Sequence, residues 1–224
     1  MAMKIAALAS GRGSNVGSIL RCCKEGTLDC EVVLVAGNNP AAAVFDIARE
    51  HGVATWAEDH RGYASRVAFD AALLGAIQAA GAEAIALAGY MRILSPEFIK
   101  KFGKPVLNVH PSLLPAFGGA AGGDDAAAYG VRLTGCTVHF VDEGLDSGPV
   151  IIQAATSIRS LEEADSFMPR IHPMEHRIFP QALQWLAEGR LVRQGRRVLL
   201  QGEKDHTGAK QPDGWLISPP LEGF

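Results

Sequence analysis

No apolar run in the chain is long enough to span a membrane. The opening stretch, Met-Ala-Met-Lys-Ile-Ala-Ala-Leu-Ala-Ser, carries too short an apolar segment for a secretion signal. Residence in the cytoplasm is therefore the expectation. Cysteine is scarce, with four in 224 residues at positions 22, 23, 30 and 136, and their spacing matches no metal-ligand pattern. Reduced, structural thiols are expected, and no metal. An excess of either charge is also lacking. A formal charge of -3 and a pI near 6.2 give no global reason to bind nucleic acid, and the cluster Arg193, Arg196 and Arg197 reads as a solvated surface. What is present is ordinary for a soluble globular protein: 48% hydrophobic and 20% charged residues, in a chain long enough for one domain, or one domain with a small appendage, with a substantial core.

Residues 4–9 form a short apolar run that ends in Ser10-Gly11-Arg12-Gly13-Ser14-Asn15, after which Val16, Ile19 and Leu20 fall at helical spacing. This is strand, glycine turn, helix. The pattern recurs through a strand at 31–36, a helix near 41–51, a short strand near 53–56, a helix from about 63 to 81, and strands at 84–88 and 106–109. Near-continuous apolar strands separated by helices imply βαβ crossovers, so the fold class is α/β, a mostly parallel Rossmann-like open sheet covered by helices on both faces. Beyond residue 115 the pattern changes. Residues 118–125 are glycine-rich and read as a flexible loop. Strands at 137–141 and 150–153, joined by a short turn holding Gly144 and Gly148, imply an antiparallel pair in the C-terminal half. A helix from about Met174 to Glu188 follows, with Ile178, Leu183 and Leu186 on its apolar stripe. The stretch from Gly202, with Pro212, Pro219 and Pro220, reads as a loosely packed tail.

The chemistry concentrates in Asn108-Val-His-Pro-Ser-Leu-Leu-Pro115 and Gly144-Leu-Asp-Ser-Gly-Pro149. Asn108 and His110 are two apart on a strand and so share a face, and the prolines at 111 and 115 stop the ladder at a carboxyl-terminal strand edge, the usual place for a site in an open α/β sheet. An amide, an imidazole and the carboxylate of Asp146 supply an oxyanion donor, a proton carrier and an orienting anion, a set suited to acyl transfer. The glycine turn begins like a dinucleotide motif, but Val16 takes the third glycine position and Asn38 and Asn39 stand where an acidic ribose ligand is expected, which disfavours NAD. It remains either a phosphate cradle at a helix N-terminus or a turn in which Ser14 or Asn15 merely caps the helix. His139 reads either as support for the site or as an exposed residue, and His172 and His176 flank Glu175 without completing a metal set.

Taken together, Gly11-Arg-Gly-Ser-Asn15, Ala88-Gly-Tyr-Met-Arg-Ile-Leu-Ser-Pro96, Asn108 to Pro115, Gly135-Cys-Thr-Val-His-Phe-Val141 and Leu145-Asp-Ser-Gly-Pro149 closely resemble the phosphoribosylglycinamide formyltransferase family over about residues 4–192. The resemblance implies a formyltransferase domain at 1–192 with an appendage or tail at 193–224. It implies transfer of the formyl group of 10-formyltetrahydrofolate, as co-substrate, to the amine of glycinamide ribonucleotide in purine synthesis, by a monomer or homodimer that engages neither nucleic acid nor membrane. Asn108, His110 and Asp146 are then catalytic. Gly13, Ser14 and Asn15 hold the substrate phosphate and Glu175 the ribose hydroxyls; Arg66, Met91, Arg92, Ile93 and Leu94 contact the folate, and the loop with Val141 and Glu143 completes the pterin pocket. The alternatives are another 10-formyltetrahydrofolate-dependent transferase or hydrolase, or a catalytically weakened folate- or nucleotide-binding protein. Two segments depart from the family. Phe117-Gly118-Gly119 and the residues after it lack a stiffening proline and an imidazole, and Pro169 and Pro173 stand where the family begins a helix.

Overall fold

A computed structural model of the chain describes residues 1–203 and 214–224. The chain divides into two compact units, 1–108 and 109–224. In the first, β1 (Met3–Leu8), β2 (Cys30–Gly37), β3 (Thr55–Ala57) and β4 (Ala84–Leu87) line up in the order β4-β1-β2-β3. β5 (Val106–His110) joins this row beside β4, with Asn108 opposite Leu87, and every pairing in the unit is parallel. The apolar runs explain the arrangement. Ile5, Ala6, Ala7 and Leu8 have no exposed surface, as expected of a strand covered on both faces.

Four helices, α1 (Ser14–Glu25), α2 (Val44–Glu50), α3 (Arg66–Ala79) and α4 (Pro96–Phe102), make the connections. α1 buries Val16, Ile19 and Leu20, and α3 buries Phe69, Leu73, Leu74 and Ile77 at helical spacing. Ser65 caps α3 by accepting from the Ala68 amide, and Ser95 caps α4 by accepting from the Phe98 amide. The short α4 begins with Pro96, which fits the first helical turn.

The second unit holds α5 (Gly122–Tyr129), β6 (Leu133–Phe140), β7 (Val150–Ser157), α6 (Ala164–Ala187), the hairpin β8 (Leu191–Gln194) and β9 (Arg197–Leu200), and β10 (Leu216–Ser218). β6 pairs antiparallel with β7, as the short turn between them requires, and β7 pairs antiparallel with β10. Among the described residues no helix is long and apolar enough to cross a membrane.

Three expectations are corrected. Residues 118–125 are not wholly a loop, because α5 starts at Gly122. α6 starts at Ala164 rather than Met174 and continues through Pro169, Pro173 and Pro180. An interior proline costs about 3 kcal/mol of helix stability, but Phe167, Ile171, Met174, Ile178, Ala182 and Trp185 form one fully buried stripe at three- and four-residue steps. Each large side chain so buried contributes roughly 1.5–3 kcal/mol, which offsets the breaks. The tail is not loose over residues 214–224. Trp215 and Ile217 are buried, Arg177 lies 5.7 Å above the Trp215 ring, and Glu222 takes an Arg190 guanidinium hydrogen at 2.6 Å. Pro212 lies outside the described residues.

The early start of α6 is testable. Ile171→Ala should lower unfolding free energy in urea by about 2–5 kcal/mol, the cost of emptying a packed core position. A loss under about 1 kcal/mol would mean that the segment before Met174 does not pack as helix.

Candidate active site

β5 ends at His110, and Pro111 offers no amide to extend the ladder. The exit is then pinned. Thr137 on β6 donates its hydroxyl to the Ser112 carbonyl at 2.7 Å and accepts from the Leu114 amide at 3.1 Å, while Gln153 on β7 donates to the Leu114 carbonyl at 3.0 Å. His110 is held at the end of a fixed strand. Its Nδ1 lies 3.5 Å from Asp146 Oδ2, and its Nε2 lies 2.9 Å from the Phe117 carbonyl. A carbonyl only accepts, so Nε2 carries the hydrogen.

Asp146 comes from the loop between β6 and β7. Its φ of 47° is in the left-handed region, which aspartate tolerates better than most residues. Its side chain is 12% exposed and faces two imidazoles, His110 on one oxygen and His139 Nε2 at 3.8 Å from the other. The Gly119 amide donates to Oδ2 at 2.8 Å. His139 is thereby settled as a buried neighbour of Asp146 rather than an exposed residue. Burial lowers its pKa, against the opposing pull of the Phe140 carbonyl, which accepts its Nδ1 hydrogen at 2.9 Å, and of the Asp146 charge.

The altered segment wraps this dyad closely. Phe117, itself at φ 54°, gives its carbonyl to His110, Gly119 gives its amide to Asp146, and a Cβ on Gly122 would stand 2.9 Å from the Phe117 oxygen and 3.2 Å from His110 Nε2. Only glycine lets the chain pass there.

In the first unit, Gly13 is the cap residue of α1 with φ 81° and no side-chain cap, so neither Ser14 nor Asn15 acts as the cap. A Cβ on Gly13 would meet Val44 at 2.5 Å. Ser14 is exposed at the first helical position and Asn15 is buried behind it. Ser10, just before the turn, donates to Asn38 Oδ1 at 2.6 Å and accepts from the Met91 amide at 2.8 Å. Asn38 thus serves an internal bond.

Arg66 and residues 91–94 belong to the first unit. Arg66 opens α3, with its Nε 3.9 Å from Asp70, and Asp70 accepts from the Ser95 amide at 3.0 Å. Arg92 lies 5.1 Å above the Phe69 ring, which Trp56 and Tyr63 flank at 5.5 and 5.2 Å. Burial raises the pKa of the Tyr90 phenol, while the Arg92 and Arg66 cations oppose the shift and Asp70 adds to it. Met91 and Ile93 project into solvent, whereas Leu94 is buried. Val141 is half-buried and Glu143 exposed on the loop that carries Asp146. Glu175 is buried in α6, close enough for its charge to add to the burial that raises the Cys136 thiol pKa. Asn108 is half-buried. Among the described residues no group of three or more His, Cys, Asp or Glu is placed to hold a metal ion.

Sequence reasoning did not assign the Phe117 carbonyl or the Gly119 amide to the His110–Asp146 pair, nor the Ser10 hydroxyl to the glycine turn. The first two are backbone groups, invisible to residue type. For His139 the signal was its alternation with apolar neighbours on the strand before the Asp146 turn.

The profile of the family described as formyl transferase matches residues 3–183. A Bacillus subtilis protein named phosphoribosylglycinamide formyltransferase is 37% identical over 82% of this chain and 94% of its own length. The trifunctional purine biosynthetic protein adenosine-3 of Gallus gallus is 41% identical over 84% of this chain, which spans only 19% of that protein. The crystal structure of glycinamide ribonucleotide transformylase 1 from Symbiobacterium toebii superimposes with a TM-score of 0.87 at 43% identity, covering 89% of this chain and 94% of the other.

The buried His139 ties stability to pH. Its depressed pKa means that the unfolded chain takes up the proton more readily, so this contribution is whole above the ordinary value of 6.5 and is lost as pH falls below it. The Tm of the parent should drop on acidification through that range, and His139→Gln should flatten the dependence. Parallel Tm curves for the two proteins would refute the assignment.

Proposed function

We propose that this chain, which belongs to the formyl transferase family, transfers the formyl group of 10-formyltetrahydrofolate to the amine of glycinamide ribonucleotide in purine synthesis. The observation that carries the reading is the buried pairing of His110 with Asp146 at 3.5 Å, two residues past Asn108 on β5. The ribonucleotide amine attacks the formyl carbon of the folate, and the bond from that carbon to the folate nitrogen breaks. Asn108 donates its side-chain amide to the carbonyl oxygen as that oxygen gains charge. His110 Nε2 carries the proton that the amine loses to the departing folate nitrogen, and the Asp146 carboxylate orients the ring. For this the Nε2 hydrogen has to leave the Phe117 carbonyl.

The same reading assigns residues to the two ligands. Gly13, Ser14 and Asn15 take the phosphate, supported by the amides that α1 leaves without a side-chain cap, and Glu175 takes the ribose hydroxyls. Arg66, Met91, Arg92, Ile93 and Leu94 take the folate, with Val141 and Glu143 at the pterin. Two observations support this: Met91 and Ile93 are exposed apolar side chains, and the buried Arg92 Nε has no hydrogen-bond partner among the described residues. We read residues 1–192 as the transferase domain and 193–224 as an appendage. The four free cysteines accord with the reducing cytoplasm as its location.

The test is a spectrophotometric assay with 10-formyl folate, with and without glycinamide ribonucleotide. Turnover should require the ribonucleotide, fall by about a hundredfold or more in Asn108→Ala, and collapse in Asp146→Asn. Folate breakdown independent of the ribonucleotide would assign a hydrolase instead, and near-parent turnover in Asn108→Ala would remove the oxyanion role.

A further inference from the structure

We propose that the hairpin β8–β9 is a strut that positions Asp146, with Arg196 as the positioning residue. The catalytic consequence rests on the functional reading above. Asp146 sits at left-handed φ in the loop between β6 and β7, and a small rotation there would separate its carboxylate from both His110 and the Gly119 amide. The inside of the loop is tied by Asp142, whose Oδ1 accepts from the Gly144 amide at 3.1 Å and from the Ser147 hydroxyl at 2.7 Å. Gly148 passes so close to the Phe140 carbonyl that no side chain fits.

The hairpin grips the loop from outside at two points. Arg196 Nη1 donates to the carbonyl of Ser147, the residue directly after Asp146, at 2.8 Å. The Arg193 guanidinium lies 5.1 Å above the ring of Phe140, the last residue of β6 before the loop departs. One point fixes where the loop leaves the sheet, the other where it turns back.

A strut must itself be stiff. Gln194 pairs with Arg197 across the two-residue turn Gly195-Arg196, and Gly195 at φ 61° suits the first turn position of the type II′ hairpin. At the other end Arg190 donates to the Gln201 carbonyl at 2.7 Å, to the Gly202 carbonyl at 3.1 Å and to Glu222 at 2.6 Å. The base is clamped and the turn presents Arg196 to the loop. Both Arg193 and Arg196 lie beyond residue 183, where the family match ends.

Arg196 is exposed, so its removal should leave overall stability almost unchanged while loosening one carboxylate. In Arg196→Ala the Gly119 amide, whose acceptor is Asp146, should exchange with deuterium several-fold faster, with Tm close to parent. The kcat should fall about threefold to tenfold with KM for both substrates near parent, and Arg196→Lys should recover much of it. Parent-like exchange at Gly119, or parent-like kcat in Arg196→Ala, overturns the proposal. Should the parent transfer no formyl group, the functional reading fails, and the Gly119 exchange alone decides whether the hairpin positions Asp146.

Discussion

A nearly buried carboxylate is the constraint around which the second unit is organised. Taking a charge out of water costs several kcal/mol unless other groups replace the solvent; the Gly119 amide donates to the Asp146 carboxylate, and the imidazoles of His110 and His139 stand 3.5 and 3.8 Å from its oxygens. Each comes from a different stretch of chain. His110 ends β5, His139 lies near the end of β6, and Gly119 belongs to the segment ahead of α5. The backbone follows from this need. Asp146 accepts a left-handed conformation, Gly148 a contact that excludes any side chain, and Gly122 a path directly over His110.

The second consequence is order in the segment that looked most exchangeable. Glycines at 118, 119, 122 and 123 suggest slack chain, yet at Gly122 and Gly123 their smallness is used for close approach. A Cβ on Gly122 would press on His110, and one on Gly123 would stand 3.0 Å from Met168 Sδ on α6. Glycine composition alone does not separate a loop that moves from one that must pass through a narrow gap.

That ambiguity marks where the sequence was legible. The period-two placement of Asn108 and His110, the apolar strands of the first unit and the antiparallel pair β6–β7 were all readable, because strand alternation and turn length act locally. The pairing of His110 with Asp146 needed the family resemblance, since thirty-five residues separate them and no local rule links them. The first ten residues of α6 were missed because Pro169 and Pro173 argue against a helix, and what overrides them is burial of Phe167 and Ile171, a tertiary effect. The final residues were misread for a similar reason: Trp215 and Ile217 are too short a pattern to announce β10, and only pairing with β7 defines it.

The Ser10 hydroxyl carries a further consequence. It has a single hydrogen, which it gives to Asn38, and with that hydrogen directed away its lone pair is free to receive the Met91 amide. The two bonds are therefore one orientation of one rotor, each strengthening the other. The glycine turn that begins beside Ser10 and the stretch beginning at Met91 share that rotor. A ligand that stiffens either segment lowers the entropy left for its counterpart to lose, and thermodynamic linkage makes the effect equal in both directions.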